Sequence, residues 1–326
     1  MEPVLEVEPG KGGITRRVAG RGFTYVWANG RRVSSAPQLE HIRALAVPPA
    51  WSHVWIASAP NAHIQATGVD DAGRTQYIYH QRWREIRDGE KFIRSLAFGH
   101  RLPTIRRMVT RDLKQSEDGR RQCLAAAVRL MDRAGLRVGG VSYAEENGSF
   151  GATTLQRRHV SLEGKAIHLV FRGKSAGDWD VQIKDSLLRD YFVSMPSTPR
   201  SGPAFSYALR SGRRKVWHSI YDRDVNRYLG EVAGHGFTAK DFRTWQGTVV
   251  AAISLSRSFR SGSTSPEAAK AAIHDAAEWL HNTPSVAKGS YINPRVIALF
   301  EQGRVANLKR QKDGAVLALL TGEAGR

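Results

Sequence analysis

The sequence predicts an α+β protein in which a small β-rich N-terminal domain precedes a larger, mostly α-helical domain that carries a three-stranded antiparallel sheet. The 326 residues suggest two domains of about 100–200 residues each. Short alternating apolar and polar runs fill the first part of the chain, whereas helical spacing of apolar residues dominates the rest. We therefore expect domains at residues 1–89 and 90–326, with residues 1–15 as a loose tail.

In the first domain, strand-like runs alternate with turn signals. Asn29-Gly30 is a hairpin-turn dipeptide, and the segment VDDAGRT provides a second chain reversal. The segment PQLEHIRALAV has the composition of a short helix, which Pro48-Pro49 ends. Strands are predicted within the runs FTYVWANGRRV, VWIAS and HIQATGVDDAGRTQYIYHQRW.

The second domain begins with two predicted helices. EKFIRSLAFGHRLPTIRRMVTRDL has apolar residues at helical spacing and an arginine-rich opposite face, and CLAAAVRLMDRAGLRVGG ends at its glycines. Residues 153–183 alternate over three short runs with turns at Glu163-Gly164 and around residues 173–177, which predicts the antiparallel sheet. Further helices are expected in DSLLRDYFVSM, HSIYDRDVNRYLGEVA, KDFRTWQGTVVAAISLSRSF, SPEAAKAAIHDAAEWLHN and NPRVIALFEQGR.

The charge of the chain indicates its class of partner. Lys and Arg total 49 against 30 Asp and Glu, which gives a net charge of +19. Such a surplus favours nucleic acid first and an anionic membrane surface second. No apolar stretch approaches the length of a transmembrane helix, and the acidic N-terminus lacks the apolar core of a signal peptide. We therefore expect a cytoplasmic protein that binds nucleic acid.

Five residues with complementary chemistry follow one another along the second domain. They are Arg137 in AGLRVGG, Lys174 in FRGKSAGDW, Arg243 in KDFRTW, and Asn282 and Tyr291 in NTPSVAKGSY. Arginine can hold two phosphate oxygens, lysine can protonate a leaving oxygen, asparagine can donate a hydrogen bond, and tyrosine can attack phosphorus. These segments contain no carboxylate cluster suited to magnesium. The set therefore suits metal-free attack on a phosphodiester.

Each of these residues alone also has an ordinary structural explanation. Arg137 could complement the dipole at a helix C-terminus, Lys174 could be a solvated turn charge, and Tyr291 could be a half-buried aromatic residue. Arg243 is less easily explained, because a cation is unfavourable near the start of a helix. The prediction therefore depends on the whole set and on its order.

The sequence resembles the type IB DNA topoisomerases, in particular the small two-domain viral and bacterial enzymes, from about residue 22 to about residue 303. The resemblance lies in RAGLRVGG, GATTLQRRHV, FRGKSAG, FTAKDFRTWQGT and NTPSVAKGSYINP. It implies that Arg137, Lys174, Arg243, Asn282 and Tyr291 are the active-site residues of a catalytic domain. Many family members have His where Asn282 stands, and Asn can still donate one hydrogen bond to a phosphate oxygen.

The resemblance also implies DNA contacts outside this set. The strand in GRTQYIYHQRW matches one that the viral enzymes place in the DNA major groove. An alternative is that Tyr77 and Tyr79 lie on one buried face of an ordinary strand. The implied DNA-binding positions are Gln76, Tyr77, Tyr79, Tyr143, Lys240 and Lys288.

The activity implied by the resemblance is relaxation of supercoiled duplex DNA by a monomeric, nucleoid-associated clamp. Tyr291 would attack one strand and hold its 3′ phosphate, and the free end would rotate before religation, with no ATP, metal or other cofactor. Lys174 would be the general acid, helped by Arg137. Arg137, Arg243 and Asn282 would hold the non-bridging oxygens.

Two other function classes remain open at this point. A tyrosine site-specific recombinase uses similar residue types, but its common HxxR pattern is absent from KDFRTW. A non-enzymatic architectural DNA-binding protein would explain the charge but not the ordered set of five residues.

Overall fold

The computed structural model describes residues 3–174, 177–196, 199–211, 214–234 and 236–322. The chain divides into two compact units, Met1–Phe92 and Ile93–Arg326. This division falls inside the long helix Gln81–Gln115, as does the expected boundary between residues 89 and 90. The helix continues through this region, so no loop separates the two units there.

The first unit contains a five-stranded antiparallel sheet with strand order β2-β1-β3-β4-β5. The turn between β4 and β5 forms as predicted, because the backbone N–H groups of Ala72 and Arg74 both donate to Oδ1 of Asp70. The Asn29-Gly30 turn follows β2 and allows Val26 to form an antiparallel bridge with Arg32. The elements are β1 Ile14–Ala19, β2 Gly22–Trp27, α1 Ala36–Ala44, β3 Ser52–Ile56, β4 Ile64–Val69 and β5 Thr75–Tyr79.

The segment before β1 differs from the expected loose tail. The N–H of Leu5 donates to the carbonyl of Asn61 at 2.9 Å, and the N–H of His63 donates to the carbonyl of Leu5 at 2.8 Å. The N–H of Val7 donates to Nδ1 of His63 at 3.1 Å. A loose tail over the whole of residues 1–15 is therefore wrong, because backbone pairing that sequence periodicity does not reveal holds part of it.

The second unit is mostly helical and carries the predicted antiparallel sheet, in the order β6-β7-β8. After α2 (Gln81–Gln115), of which residues 93–115 belong to this unit, its elements are α3 Gly119–Ala134, α4 Val141–Asn147, β6 Val160–Glu163, β7 Ala166–Arg172, β8 Asp178–Lys184 and α5 Ser186–Ser194. They continue with β9 Ser206–Ser211, β10 Arg214–Ser219, α6 Asp222–Ala233, α7 Ala239–Arg260, α8 Pro266–Trp279, α9 Pro284–Ser290, α10 Pro294–Glu301 and α11 Lys312–Thr321.

Helix α7 passes through the hydrophobic core of this unit. The helix contributes Trp245 to this core; the side chain is fully buried, and its Nε1 donates to Oδ1 of Asp313 at 2.7 Å. Thr238 is the N-cap residue of the helix, and its N–H donates to the side chain of Asp241 in the first turn at 2.7 Å. Helix α7 is therefore anchored at its start and in its second turn, on either side of Arg243.

Two local features differ from the sequence-based expectations. Helix α3 ends at Ala134, where Gly135 adopts a left-handed conformation with φ of 66°. Arg137 therefore lies in the extended segment beyond the helix. The antiparallel β9–β10 hairpin lies between two expected helices, in a stretch for which no strand was expected, and only its last residues, His218 and Ser219, overlap the second of these helices. Among the described residues, no helix is both long and apolar enough to cross a membrane.

Candidate active site

Four of the five predicted site residues come together between the end of α3, the start of α7 and the two ends of α9. Arg137 follows α3, Arg243 lies in the first turns of α7, and Asn282 and Tyr291 flank α9. Nη2 of Arg137 donates to Oδ1 of Asn282 at 2.7 Å. The guanidinium carbon of Arg243 lies 5.0 Å from the ring centroid of Tyr291. Residues separated by up to 154 positions in sequence, as 291 − 137, thus form one cluster.

Arg243 is buried, with 2% of its surface exposed. Its Nη1 donates to the carbonyl of Gly135, and its Nη2 donates to the carbonyl of Leu280 at 2.9 Å. Burial lowers the pKa of Arg243 to about 10; Tyr291 acts in the opposite direction, and the charge of Arg137 lowers the pKa further. Arg243 therefore stays charged at neutral pH and joins the loops that carry Arg137 and Asn282.

Tyr291 is half-buried at the end of α9 and is held through its backbone. Its carbonyl accepts from Oγ1 of Thr248 at 3.1 Å, and the same Oγ1 accepts from the N–H of Asn293 at 3.0 Å. Burial acts to raise the pKa of the Tyr291 hydroxyl, but the positive charges of Arg243, Arg137 and Lys240 outweigh it. The pKa therefore lies below the usual value for tyrosine, which favours a nucleophilic oxygen.

The side-chain amide of Asn282 has one occupied end and one free end. Its Oδ1 accepts from Arg137, whereas its Nδ2 is buried and has no hydrogen-bond partner among the residues described. A buried donor without a partner costs about 1–3 kcal/mol. An oxygen that accepts from Nδ2 would remove this cost, so the site contains a preformed donor for an incoming acceptor.

Lys174 lies outside this cluster. It is exposed in the connection between β7 and β8, and its Nζ lies 5.4 Å from the ring centroid of Tyr143 on α4. In the described part of the chain, no hydrogen bond joins Lys174 to the other four residues. Ser175 and Ala176, which complete the predicted motif around Lys174, lie outside the described residues.

His281 connects the Lys174 hairpin to the cluster, and sequence reasoning missed it. Its ring stacks on Trp179 of β8 with centroids 3.8 Å apart and an interplanar angle of 19°. Gly173 packs so closely on this tryptophan that an added Cβ would lie 2.6 Å from Trp179 Cδ1. His281 also has a positive φ of 49°, which is uncommon for a residue other than glycine. The sequence signal that could have identified His281 was its position next to the predicted site residue Asn282.

Two small residues on α7 were also missed. Thr248 is fully buried, and an added Cβ at Gly247 would lie 3.0 Å from Cβ of Tyr291. Both lie about one turn beyond Arg243 and Thr244 on a helical face. The i, i+4 spacing in KDFRTWQGT was therefore the signal that could have identified the α7 surface against which Tyr291 packs.

The remaining implied DNA contacts occupy exposed or partly exposed positions. In the second unit, Lys240 is exposed on the first turn of α7, Lys288 is exposed on α9, and Tyr143 is half-buried on α4. Lys240 contributes to the site electrostatically, because its charge lowers the pKa of Tyr291.

In the first unit, the implied contacts lie on edge strand β5. Tyr77 and Tyr79 are 45% and 37% exposed, and their rings stack with centroids 5.8 Å apart. The alternative in which Tyr77 and Tyr79 lie on one buried face of the strand is therefore wrong. Gln76 points to the opposite face and donates from Nε2 to Oδ2 of Asp70 at 2.8 Å. The tyrosine face is free for a ligand, whereas Gln76 is already hydrogen-bonded.

Comparisons with known proteins identify the family of the chain. Residues 80–314 match a family model described as the catalytic core of eukaryotic DNA topoisomerase I. Residues 22–70 match the N-terminal domain of bacterial DNA topoisomerase IB. A solved XerH site-specific recombinase bound to its palindromic difH substrate aligns at a TM-score of 0.35 and 12% identity, over 72% of this chain and 58% of that one. That overlap is too low to carry a functional argument.

Viral enzymes are among the similar proteins. The chain is 28% identical to DNA topoisomerase 1B of Acanthamoeba polyphaga mimivirus, over 94% of this chain and 93% of that protein. It is 24% identical to DNA topoisomerase 1B of Vaccinia virus (strain Copenhagen), over 71% of each. Because the catalytic-core model matches well over half of the residues, the chain belongs to the type IB DNA topoisomerase family.

Proposed function

We propose that this enzyme relaxes supercoiled duplex DNA by transient cleavage of one strand, with Tyr291 as the nucleophile and without ATP or metal. The observation that carries the proposal is the contact between Tyr291 and the buried, charged Arg243, beside the Arg137–Asn282 pair. This cluster combines a tyrosine of lowered pKa with cations and a free donor, as phosphoryl transfer requires.

In the proposed reaction, the Tyr291 oxygen bonds to phosphorus as the bond between phosphorus and the 5′ oxygen breaks. The tyrosine loses its proton, and the 5′ oxygen gains one. The 3′ phosphate stays on Tyr291, so the energy of the phosphodiester is conserved, and attack by the 5′ hydroxyl reverses the step. The lowered pKa of Tyr291 reduces the need for a separate strong base.

Three residues meet the charge on the non-bridging oxygens in this proposal. Asn282 offers its unpartnered Nδ2, and Arg137 offers the guanidinium nitrogens that do not bond Asn282. Arg243 differs from an open phosphate fork, because two of its nitrogens already donate to backbone carbonyls. Its main contribution is therefore a fixed positive charge beneath Tyr291, with Nε as its free donor among the described groups.

Lys174 is the proposed general acid for the 5′ oxygen. Its exposed position on the β7–β8 connection leaves it free to reach DNA, and the Trp179–His281 stack fixes the base of that connection next to Asn282. The proposed partner is duplex DNA, bound by a monomer in the cytoplasm at the nucleoid. The names of the viral relatives, each a DNA topoisomerase, support this substrate.

The test is relaxation of a supercoiled plasmid in EDTA without ATP. The unmutated enzyme should relax the plasmid and leave a covalent protein–DNA adduct on a denaturing gel. Tyr291→Phe should bind duplex DNA but form no adduct. Tyr221→Phe, which alters an exposed tyrosine before α6, is the matched control and should remain active. An adduct with Tyr291→Phe would refute the assignment, and strand exchange without relaxation would favour a recombinase.

A further inference from the structure

We propose that the β9–β10 hairpin is an additional DNA-binding element, whose basic face contacts the backbone of duplex DNA away from the cleaved phosphate. This inference goes beyond the proposed chemistry and rests on it only in taking duplex DNA as the substrate. Four residues, Ala208, Arg210, Lys215 and Trp217, form this basic face.

The hairpin is buried at its root and exposed along the described residues farther out. Phe205, Ser206 and Ile220 are almost fully buried at its root, and the Tyr191 hydroxyl donates to the carbonyl of Ser206 at 3.2 Å. Every residue from Arg214 to His218 is exposed. The two strands form a sheet of their own, and neither pairs with a third strand in the part of the chain that the structure describes. The hairpin is therefore an anchored ribbon that presents its outer half to solvent.

The strand register defines the basic face. Arg210 lies directly opposite Lys215, and Ala208 lies directly opposite Trp217. Residues opposite each other in an antiparallel pair share one face, and positions two apart along a strand also share it. Two cations and a 40% exposed tryptophan are thus neighbours on one side of the ribbon. Arg214, by the same register, belongs to the opposite face.

This arrangement is unfavourable for the hairpin alone. Like charges directly opposite each other destabilise an antiparallel pair. Residues 206–219 contain four Arg or Lys and no Asp or Glu. Among the described residues, no ion pair or hydrogen bond engages the side chains of Arg210 and Lys215. A polyanion on this face would relieve the repulsion, and it would also cover the exposed tryptophan.

Duplex DNA fits this face better than an acidic protein surface does. A two-stranded β-ribbon has the width that the major groove admits, and cations at its margins can reach phosphates. Trp217 can pack on sugar or base edges between them. Because the chain belongs to a DNA topoisomerase family, duplex DNA is also the polyanion that this face will encounter.

The position of the hairpin separates it from the catalytic cluster. Its Tyr207 lies beside Gly119 at the start of α3, where an added Cβ would be 3.8 Å from Tyr207 Cβ. Arg137 lies just past the other end of this helix. Sixteen helical residues span ~24 Å, which corresponds to roughly seven base pairs of duplex. We therefore take arms of about seven base pairs as the length scale on which contact with the hairpin should be gained or lost.

The experiment measures duplex binding over a range of salt concentrations, in a Tyr291→Phe background that prevents cleavage. Each lost phosphate contact lowers the salt slope by about 0.9, so Arg210→Ala with Lys215→Ala should lower it by about 1.8. The affinity difference from the parent should then shrink about tenfold between 50 and 200 mM salt. Trp217→Ala should weaken binding without changing the slope, because an apolar contact releases no counterions.

The matched control uses the two faces of the same ribbon. Arg210→Ala and Arg214→Ala remove the same side chain from exposed positions near the hairpin end, but only the first should change the slope. The effect should also vanish on duplexes whose arms are shorter than about seven base pairs. Equal effects of the two variants, or an effect that persists on short arms, would overturn a direct contact and indicate a long-range field.

Two further measurements keep the outcome clear. The Arg210→Ala/Lys215→Ala protein, with Tyr291 intact, should keep its melting temperature and should cleave saturating DNA at the unmutated rate. This second result separates failure of the hairpin proposal from failure of the proposed chemistry. A dimer in DNA-free sedimentation that Trp217→Ala converts to a monomer would instead assign the hairpin to self-association.

Discussion

Replacing Asn282 by alanine should slow DNA cleavage strongly while leaving the stability of the protein almost unchanged. In the folded protein, Asn282 accepts a hydrogen bond from the charged Arg137, a type of interaction that contributes about 1.5–3 kcal/mol. The same side chain buries an unpartnered Nδ2, which costs about 1–3 kcal/mol. Alanine removes both effects, and because they have opposite signs the free energy of unfolding should change little.

The effect on the reaction has no such compensation. A preorganised donor that stabilises transition-state charge is worth about 10²–10³ in rate, so Asn282→Ala should cleave more slowly by that factor. Asn282→Asp should be slower still, since a carboxylate would pair with Arg137 and repel the phosphate. Asn282→His keeps a donor and should retain most activity, with a new dependence on pH near the histidine pKa.

The assay is single-turnover cleavage of a labelled duplex, with thermal melting measured on the same protein samples. An alanine variant that cleaves at the unmutated rate would show that Nδ2 of Asn282 does not meet the phosphate. A variant that loses activity together with many degrees of melting temperature would refute the stability balance, and the residue would then be mainly structural.

Three further outcomes are expected. Lys174→Ala should be slow on ordinary DNA but nearly normal on a 5′-bridging phosphorothiolate, whose leaving group needs no proton; equal slowness on both would make Lys174 a phosphate ligand instead. His281→Ala should also be slow on ordinary DNA and nearly normal on the 5′-bridging phosphorothiolate. His281→Phe should be nearly normal on both substrates, because it keeps a ring that can stack on Trp179. If the phosphorothiolate does not rescue His281→Ala, the stack positions Asn282 instead of Lys174. Asp185 accepts a hydrogen bond from Arg129 at 2.8 Å. Burial acts to raise the pKa of Asp185, but Arg129 and a backbone N–H together lower it more. The stabilisation that Asp185 contributes is therefore complete above its unfolded-state pKa and is lost as the pH falls through its folded-state pKa. Asp185→Asn should therefore cost ~3 kcal/mol of unfolding free energy at pH 7, and urea titrations should show this difference shrinking in acid; a difference that does not depend on pH would exclude a charge effect.

Local sequence patterns determined most of the elements that carry the site. The alternation of residues 153–183 predicted the β6-β7-β8 sheet, and the apolar spacing after KDF predicted α7 with Arg243 in its first turns. These predictions succeed because periodicity and turn chemistry act over a few residues. The resemblance to type IB topoisomerases, which the family comparisons confirm, added the prediction that these five residues form an active site.

Where both faces of a segment are exposed, the same reasoning failed. The described side chains in the outer half of the β9–β10 hairpin form no buried stripe, so this segment lacks the alternation that reveals a half-buried strand. On β5 the alternation was visible, but it could not show whether the tyrosine face or the Ile78 face was buried. Burial of a face is decided by the neighbouring elements that cover it.

The electrostatic state of the site was decided by tertiary structure alone. Sequence placed Arg243 near a helix start, but only the fold buries it between the carbonyls of Gly135 and Leu280 and beneath Tyr291. The Arg137–Asn282 bond and the Trp179–His281 stack likewise join distant segments. The sequence by itself therefore determined which chemical groups this protein has, whereas long-range packing decided their burial, their partners and hence their pKa values.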